Sequence, residues 1–322
     1  MNNEIVIHRY SSDDATSWNK FIDSSLNGTF ILKRSFMEYH EDRFNDYSLM
    51  VYRSQTLIAV LPGNRVGDKW YSHQGLTYGG IILDQELSKD VLKQVMNQVV
   101  SYLISNEIKD IYIKQPFNSY SQINRFINEI IEVMDFQPFQ RVNNAYLELN
   151  VDLSISSKRT AGYRNGNWND LIFKENDNWG EFWNQVLVPL LQHKYAASPV
   201  HSLQEIEELK SKFPEEIQLY TVSNQEGIIA GVVIFIKGNI ARAQYMASTI
   251  EARSLRAMDF LYLETIEVLR QCNITKYDLG AVDDPNGGIN KGLAKNKKEM
   301  GASFETQTVC TLNHIENKKN QR

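Results

Sequence analysis

The chain has 322 residues, 42% of them hydrophobic and 11% aromatic, and a formal net charge of −5 at pH 7. This length suffices for two domains that each bury a core, and the apolar content excludes an intrinsically disordered chain. The mild negative charge argues against a dedicated nucleic-acid-binding protein, which usually carries a basic excess. The two cysteines, Cys272 and Cys310, lie too far apart to indicate a disulfide framework or a zinc site.

The N-terminal residues lack the apolar core of a signal peptide, and no apolar run approaches the length of a membrane span. We therefore expect a cytoplasmic protein in which both cysteines are thiols in a reducing compartment. Its expected partners are small molecules, and neither a membrane nor nucleic acid is expected among them.

Apolar residues in the first half recur with the periods of strands and helices. In chain order they predict a strand at 5–7, a helix after residue 14, a helix at 35–44, strands at 49–52, 57–61 and 70–74, a helix at 88–103, a strand at 110–114, a helix at 119–134 and a strand at 144–150. The helix at 88–103 has the clearest pattern, because its apolar residues form one stripe.

The second half is predicted in the same way. Its elements are a short basic helix within 158–164, helices at 179–195 and 202–213, a strand meander within 217–249, a helix at 254–271, a strand at 276–280, a helix at 290–300 and a strand at 304–313. Ser202 and Glu205 have the form of a capping box, and Pro189 is expected to kink or weaken its helix.

The two halves repeat one pattern: a three-strand meander, a long helix and a further strand. At one common offset Leu49 falls on Leu219 and Gln74 falls on Gln244. The repeat predicts an α/β (α+β) fold with two similar domains, 1–150 and 151–322, each a mixed central sheet flanked by helices. Two such domains are expected to face each other across a cleft, which is a common location for a ligand site.

The segment 71–80 contains three glycines, two tyrosines, a histidine and a glutamine. Glycines allow a ligand to approach the backbone closely, so we expect His73, Gln74 and Tyr78 to line the cleft. His73 is the candidate general base, because a free histidine titrates near neutral pH. The alternative interpretation is a glycine-rich turn in which the histidine has a local structural role.

Gln244 and Tyr245 occupy the position in the second half that corresponds to Gln74. Adjacent strand residues face opposite sides, so one of the two is expected to point into the cleft and the other into the core. Arg253 and Arg256 precede the helix at 254–271, whose N-terminal amides would favour an anion. A solvated basic turn is the alternative for these arginines.

Three further positions are candidates. Asp283 begins an Asp-Asp-Pro-Asn-Gly-Gly loop, in which paired aspartates usually shape the turn. Lys291 starts a series of lysines that we interpret as a solvated face, from which one or two side chains could reach a phosphate. Tyr195 flanks an Ala-Ala-Ser-Pro loop that could roof the cleft.

No serine-nucleophile elbow, nucleotide-binding glycine loop or zinc-protease motif is present. Four segments instead resemble the GNAT acyltransferase fold in its tandem, FemAB-like form. They are YSHQGLTYGG at 71–80, KYAASPVHS at 194–202, AQY at 243–245, and KYDLG at 276–280 with GL at 292–293 and KEMG at 298–301. Within that group the chain looks most like N-acyltransferases of bacterial capsule and O-antigen clusters that act on nucleotide-linked 3-amino-3,6-dideoxyhexoses.

The resemblance implies that an amine attacks an acyl-CoA thioester directly, with acyl-CoA as co-substrate and no metal. For this reaction we expect His73 to act as the base, with Asp283 as a second candidate, and Arg253, Arg256 and Lys291 to contact the phosphates of the donor. The acceptor would be lined by Gln74, Tyr78, Tyr195, Gln244 and Tyr245. A monomer or a small homo-oligomer is expected, because an internal repeat already forms its own interface.

The chain departs from the family where a glycine-rich loop usually binds pyrophosphate, since Arg-Ser-Leu-Arg-Ala stands there at 253–257. FemAB-like relatives use aminoacyl-tRNA instead, so peptide-bond formation on a cell-wall precursor is an alternative. Against it, the sequence shows no long helical-hairpin insertion and no strongly basic surface. The third possibility is a non-catalytic protein that binds a sugar nucleotide.

Overall fold

The computed structural model describes residues 4–166, 168–284 and 287–313, and only the main chain of residue 195. The chain divides into two compact units. Unit 1 comprises Met1–Val142 and Glu305–Arg322, and unit 2 comprises Asn143–Phe304.

Unit 1 begins with seven strands and four helices. The strands are β1 (Ile5–Arg9), β2 (Leu49–Arg53), β3 (Thr56–Leu61), β4 (Asn64–Val66), β5 (Lys69–Tyr71), β6 (Ile82–Leu83) and β7 (Asp110–Lys114). The helices are α1 (Ala15–Ser24), α2 (Arg34–Met37), α3 (Lys89–Ser105) and α4 (Gln122–Glu132). Short 3₁₀ turns lie at Ser12–Asp14, Phe30–Leu32, Glu38–Arg43 and Asn118–Tyr120.

Strand β8 (Gln137–Glu148) leads into unit 2. The strands that follow are β9 (Ile172–Glu175), β10 (Ile217–Asn224), β11 (Gly227–Lys237), β12 (Ile240–Ser248) and β13 (Lys276–Ala281). The helices are α5 (Ala161–Asn165), α6 (Trp179–Glu181), α7 (Val188–Tyr195), α8 (Leu203–Lys212), α9 (Ala257–Gln271) and α10 (Lys291–Glu299), and a final strand β14 (Ser303–Asn313) ends the described part of the chain.

The strands of unit 1 lie in two groups, which corrects the predicted meander over 49–74. One group has the order β1-β2-β3-β6, whereas β4 and β5 form a hairpin whose β5 pairs in parallel with β7. The break falls at Pro62, which has no N–H to donate to a ladder. The next residue, Gly63, lies against Trp70, where an added Cβ would sit 2.4 Å from the indole.

Helix α3 packs its apolar stripe against the strands of unit 1. Its buried residues are Leu92, Val95, Met96, Val99 and Leu103, as the apolar pattern predicted. They share one core with Ile111 and Ile113 of β7 and with the apolar face of α4. Burial of this stripe holds the helix across the sheet, because apolar area removed from water is the main favourable term in folding.

Unit 2 contains a mixed sheet in the order β8-β13-β12-β11-β10-β9. Its pairs are antiparallel except for β12 and β13, which run parallel and are joined through α9. Unit 1 has the equivalent arrangement, because α3 joins the parallel strands β5 and β7. The fold is therefore a GNAT-like mixed α/β arrangement in which each unit joins two parallel strands through one long helix.

Two local predictions about helices can be compared with the structure. The side chain of Ser202 accepts from the N–H of Glu205, and the Glu205 carboxylate accepts in return from the N–H of Ser202, which confirms the capping box. A π-helical segment, Phe182–Leu187, precedes Pro189, so the helix is irregular where the proline was expected to weaken it.

The division between the units differs from the predicted boundary at residue 150. Strand β14 belongs to unit 1 because it pairs antiparallel with β7, from Val309 opposite Lys114 to Asn313 opposite Asp110. The second half of β8 belongs to unit 2 because it pairs with β13, from Asn144 to Glu148. The domain limits therefore follow strand pairing, and a sequence pattern carries little information about which strands pair.

Two buried tyrosines provide a matched stability test. The Tyr277 hydroxyl is fully buried and has no hydrogen-bond partner among the described residues, whereas the Tyr78 hydroxyl donates to Thr29 at 2.8 Å. Because a buried unpaired hydroxyl is destabilising, Tyr277→Phe should raise the free energy of unfolding by about 1 kcal/mol. Tyr78→Phe should lower it by about 1 kcal/mol. Urea unfolding measures both, and a loss of stability in Tyr277→Phe would contradict the assignment.

Candidate functional site

The candidate site is a cleft in unit 2 where two neighbouring strands part. Strands β12 and β13 pair only from Ile240 opposite Lys276 to Arg242 opposite Asp278. Beyond this point lies a cleft of about 930 Å³ lined by residues of β12, β13, α7, α9, α10 and the loop before α9. Every residue that lines it belongs to unit 2.

A buried carboxylate stands where the strands part. Asp278 is fully buried, forms an ion pair with Arg242, and accepts hydrogen bonds from Asn144 Nδ2 at 2.9 Å and from the N–H of Gly280 at 2.7 Å. Gly280 has φ +81°, a conformation that favours glycine, and the register with β8 shifts between Asp278 and Gly280. The chain therefore bends at the residue where β13 leaves β12.

A β-bulge in β12 exposes Gln244 to the cleft. Val233 of β11 faces Tyr245 and Ile234 faces Ala243, so Gln244 is the extra residue of the bulge. Gln244 lines the cleft, whereas Tyr245 does not. The Tyr245 hydroxyl instead contacts His201 Nδ1 at 2.6 Å, and burial raises its pKa to about 12.

The sequence analysis missed Lys297, which lines the cleft from α10. Its ammonium donates to the carbonyls of Leu279 at 2.5 Å, Gly280 at 3.2 Å and Ala281 at 3.4 Å. Burial lowers the pKa of Lys297 to about 8, against the opposing effect of the Asp278 charge. The side chain is therefore still largely protonated at pH 7, with its charge held against the end of β13.

The interpretation of the α10 lysines as a solvated face needs one correction. Lys291, Lys295 and Lys298 are exposed as expected, but Lys297 is only 4% exposed. It falls on the same helix face as Leu293 and Met300, at spacings of four and three residues, and this spacing was the available signal.

Arginines gather at the end of the cleft nearest α9. Arg253, Arg256 and Arg159 all line it, and Arg256 directly precedes the helix with φ +54°. The carboxylate of Asp259 accepts from Arg159 Nη1 at 2.8 Å and from Arg256 Nε at 2.9 Å. Arg253 is exposed and has no ion-pair partner within the part of the chain that is described.

Arg159 also contacts a second carboxylate, that of Glu299. Glu299 accepts from Arg159 Nη2 at 2.7 Å and from Nε at 3.1 Å. Burial alone would lower the pKa of Arg159, but the hydrogen bonds and charges of Asp259 and Glu299 outweigh it and raise that pKa. Arg159 and Asp259, which the sequence analysis did not select, are therefore part of the cationic end of the cleft.

Two of the predicted site residues, Asp283 and Lys291, do not line this cleft. Asp283 accepts from the N–H of Asn143 at 2.8 Å and from its Nδ2 at 2.7 Å, so its carboxylate holds the loop after β13 against β8. Lys291 is exposed at the start of α10, between the lining residues Asn290 and Gly292. The side chain of Tyr195 lies outside the described residues.

The candidates of the glycine-rich segment belong to unit 1. His73 is only 5% exposed, has φ +67° and packs against His40 and Phe44. Burial, together with the neighbouring His40 and Arg34, lowers its pKa to about 3. A histidine with this pKa is a weak proton acceptor at neutral pH, which favours the alternative interpretation of a structural role.

Gln74 and Tyr78 are both engaged within unit 1. The Gln74 side-chain oxygen accepts from Asn64 Nδ2 at 2.9 Å, and its N–H donates to Asn64 Oδ1 at 2.8 Å. The buried Tyr78 hydroxyl donates to Thr29. Of the predicted site residues, the cleft of unit 2 therefore brings together Gln244, Arg253 and Arg256.

Two searches concern other kinds of site. Within residues 4–166, 168–284 and 287–313, no group of three or more histidine, cysteine, aspartate or glutamate side chains is arranged to hold a metal ion. None of the helices in this described part combines the length and the apolar character that crossing a membrane requires.

Comparison with known proteins agrees with the geometry of unit 2. Residues 158–286 match the family described as acetyltransferase (GNAT) domain, a segment that contains β12, α9 and most of the loop after β13. A sequence comparison with curated proteins finds no significant match.

Solved structures share the fold over almost all of the chain. FemX superposes with a TM-score of 0.69 at 11% identity, over 98% of this chain and 100% of that one. The C-terminal domain of a putative lysylphosphatidylglycerol synthetase from Agrobacterium fabrum gives 0.62 at 11%, over 95% and 94%.

A tandem GNAT protein from the clavulanic acid biosynthesis pathway gives a TM-score of 0.56 at 11% identity, over 97% of this chain and 99% of that one. At such identities the likeness shows the fold and nothing about substrates. Residues 158–286 thus match a GNAT acetyltransferase domain, on a fold shared with a tandem GNAT structure, and this match makes the protein an acyltransferase.

Proposed function

We propose that the protein transfers an acyl group from acyl-CoA to the amine of a nucleotide-linked amino sugar, a 3-amino-3,6-dideoxyhexose used for surface polysaccharide. The observation that carries the donor half of this proposal is the cleft between β12 and β13, with arginines at its α9 end. The acceptor half rests on the resemblance of the quoted sequence segments to amino-sugar N-acyltransferases.

The cleft has the size and the polar groups that an acyl-CoA requires. Its volume of about 930 Å³ lies within the usual range of small-molecule sites. Beyond Arg242, the edge of β12 is no longer paired with β13 and can hydrogen-bond an extended amide chain as an added strand would. The guanidinium groups of Arg253 and Arg256 suit phosphate oxygens.

The reaction needs positioning more than covalent catalysis. The acceptor nitrogen attacks the thioester carbonyl, the N–C bond forms, the C–S bond breaks, and the amine proton leaves to solvent or to the departing thiolate. Holding both substrates together supplies much of the rate. Backbone N–H groups beside Gln244 would donate to the carbonyl oxygen as negative charge develops on it. The Lys297 ammonium, whose own N–H groups donate to the carbonyls of β13, would stabilise that charge through space.

The deciding experiment measures thiol release from short acyl-CoAs with and without nucleotide-linked amino sugars. The proposal expects release only when both substrates are present, with the acyl mass added to the sugar in mass spectrometry. Tight binding of the sugar nucleotide without turnover would favour a binding protein. A product formed only from aminoacyl-tRNA, and lost after ribonuclease treatment, would establish the cell-wall alternative.

One observation favours aminoacyl-tRNA over acyl-CoA as the donor. The first turn of α9, where a glycine-rich loop would bind pyrophosphate, already holds the buried carboxylate of Asp259. Ribonuclease-resistant activity with acyl-CoA as the sole donor would exclude this alternative.

Lys297 can be tested against its exposed neighbour Lys298. Lys297→Met removes the charge beside the cleft and should lower kcat by roughly 10² to 10³, as the loss of an oxyanion-stabilising group does. Lys298→Met should behave like the unchanged protein, because its side chain is exposed.

The pH dependence provides a second measure of Lys297. The protonated form is the active one, so kcat should fall as pH rises through about 8, the pKa of Lys297. This fall in kcat with rising pH should be absent in Lys297→Met, provided that thermal unfolding shows the variant to be folded. An unchanged kcat in that variant would remove Lys297 from the proposed role.

His73→Asn distinguishes a base from a structural residue. Asparagine tolerates the left-handed backbone better than most residues, so the turn should be retained. Because the pKa of His73 is about 3, we expect turnover within about threefold of the unchanged protein. The dependence of turnover on pH around 6.5 should also be the same in the variant. A fall of roughly 10² in kcat without a change in melting temperature would restore the histidine as a general base.

A further inference from the structure

The loop before α9 places an arginine where the backbone favours glycine. Arg256 has φ +54° and ψ +35°, the left-handed conformation, and directly precedes the first residue of the helix. A side chain in this conformation costs free energy relative to glycine, and it persists where surrounding contacts hold it. The free-energy cost at Arg256 is therefore offset by the contacts of its side chain.

The contacts that hold Arg256 form a chain of ion pairs across unit 2. Asp259 accepts from Arg256 Nε and Nη2 at 2.9 and 2.5 Å through one oxygen, and from Arg159 Nη1 at 2.8 Å through the other. Glu299 accepts from the remaining side of Arg159. The order along the chain of pairs is Glu299, Arg159, Asp259, Arg256.

Arg159 and Arg256 differ in how many of their N–H groups remain available to a ligand. Arg159 donates three of its five N–H groups to the two carboxylates, and its Nη1 and Nη2 also donate to the side-chain oxygen of Asn296, at 3.2 and 3.1 Å, once that amide is turned to face the guanidinium. Among the described residues, Arg256 donates only two of its five N–H groups, both to Asp259. Arg253, at the end of the 3₁₀ turn Glu251–Arg253, is exposed and lines the same end of the cleft. Arg256 and Arg253 are therefore the groups that can contact an anion, and Arg159 supports them.

The helix N-terminus itself is already occupied by a negative charge. Asp259 is 5% exposed and lies in the first turn of α9, where backbone amides and the helix dipole favour an anion. A phosphate that approached these amides would meet that carboxylate. Phosphate recognition by this loop therefore has to come from guanidinium groups and not from a backbone cradle.

We propose that Asp259 and Arg159 are positioning residues that hold Arg256 as a phosphate-recognition group, so that the donor's phosphates are bound by arginine side chains in place of a glycine-rich loop. This inference rests on the proposed function for the identity of the donor. It assigns donor selection to electrostatic side-chain contacts, which weaken with salt to the extent that they are exposed.

The test compares acyl-CoA with acyl-pantetheine, which has the same thioester but lacks the phosphates and the nucleotide. The measured quantity is the preference, the ratio of kcat/KM for the two donors. Arg256→Gly keeps the left-handed backbone without strain and should lower the preference at least tenfold, through KM for acyl-CoA. Asp259→Asn should lower it about three- to tenfold, because Arg256 loses its fixed orientation.

The matched control is Lys295→Ala, which removes an exposed positive charge from α10 and should keep the preference of the unchanged protein. Melting temperatures show whether each variant is folded at the assay temperature. A preference of about one in the unchanged protein, or one that Arg256→Gly does not alter, overturns the proposal.

Calorimetric binding of CoA and of inorganic pyrophosphate separates this inference from the proposed function. Binding to the unchanged protein that weakens about tenfold in Arg256→Gly supports arginine-based phosphate recognition, even if no acyl-sugar product is found. Absence of binding of both probes to the unchanged protein overturns the inference, even if the protein uses another acyl donor.

Discussion

The cleft of unit 2 depends on one buried carboxylate. Asp278 is fully buried, and its charge is balanced by Arg242 while Asn144 and the N–H of Gly280 donate to it. A buried charge without such partners would be very costly, so these four groups fix one another. Because they meet where β12 and β13 stop pairing, they also fix the place where the sheet opens. The donor end, the bulge at Gln244 and Lys297 are all arranged around this opening.

Much of the secondary structure could be predicted from the sequence because its signals are local. The apolar stripe of α3 and the capping box of α8 are read from residues three or four positions apart. Strand partners are not local. The meander predicted over 49–74 is divided at Pro62, and β14 joins β7 across nearly two hundred residues of chain. Alternation of apolar residues reports which face of a strand is buried, but not which strand lies beside it.

The candidate site shows the same limit at the level of side chains. Gln244, Arg253 and Arg256 were selected because a polar residue in an apolar strand and arginines before a helix are visible in the sequence. Arg159 and Asp259 are 100 residues apart, so only the fold reveals that the Arg159 guanidinium contacts the Asp259 carboxylate. His73 was selected for the ordinary pKa of histidine, which burial removes. Residue type predicts chemistry only when the degree of burial is also known.

The return of the chain to unit 1 at its C-terminal strand has a consequence for biosynthesis. Unit 2 is one continuous segment, Asn143–Phe304, whereas unit 1 takes its last strand from residues made after it. During translation, unit 2 can complete its sheet as soon as it leaves the ribosome, but β7 has to wait for β14, which is made after unit 2. The nascent chain would then carry an unfinished sheet edge, a template for aggregation, throughout the synthesis of the domain inserted within it.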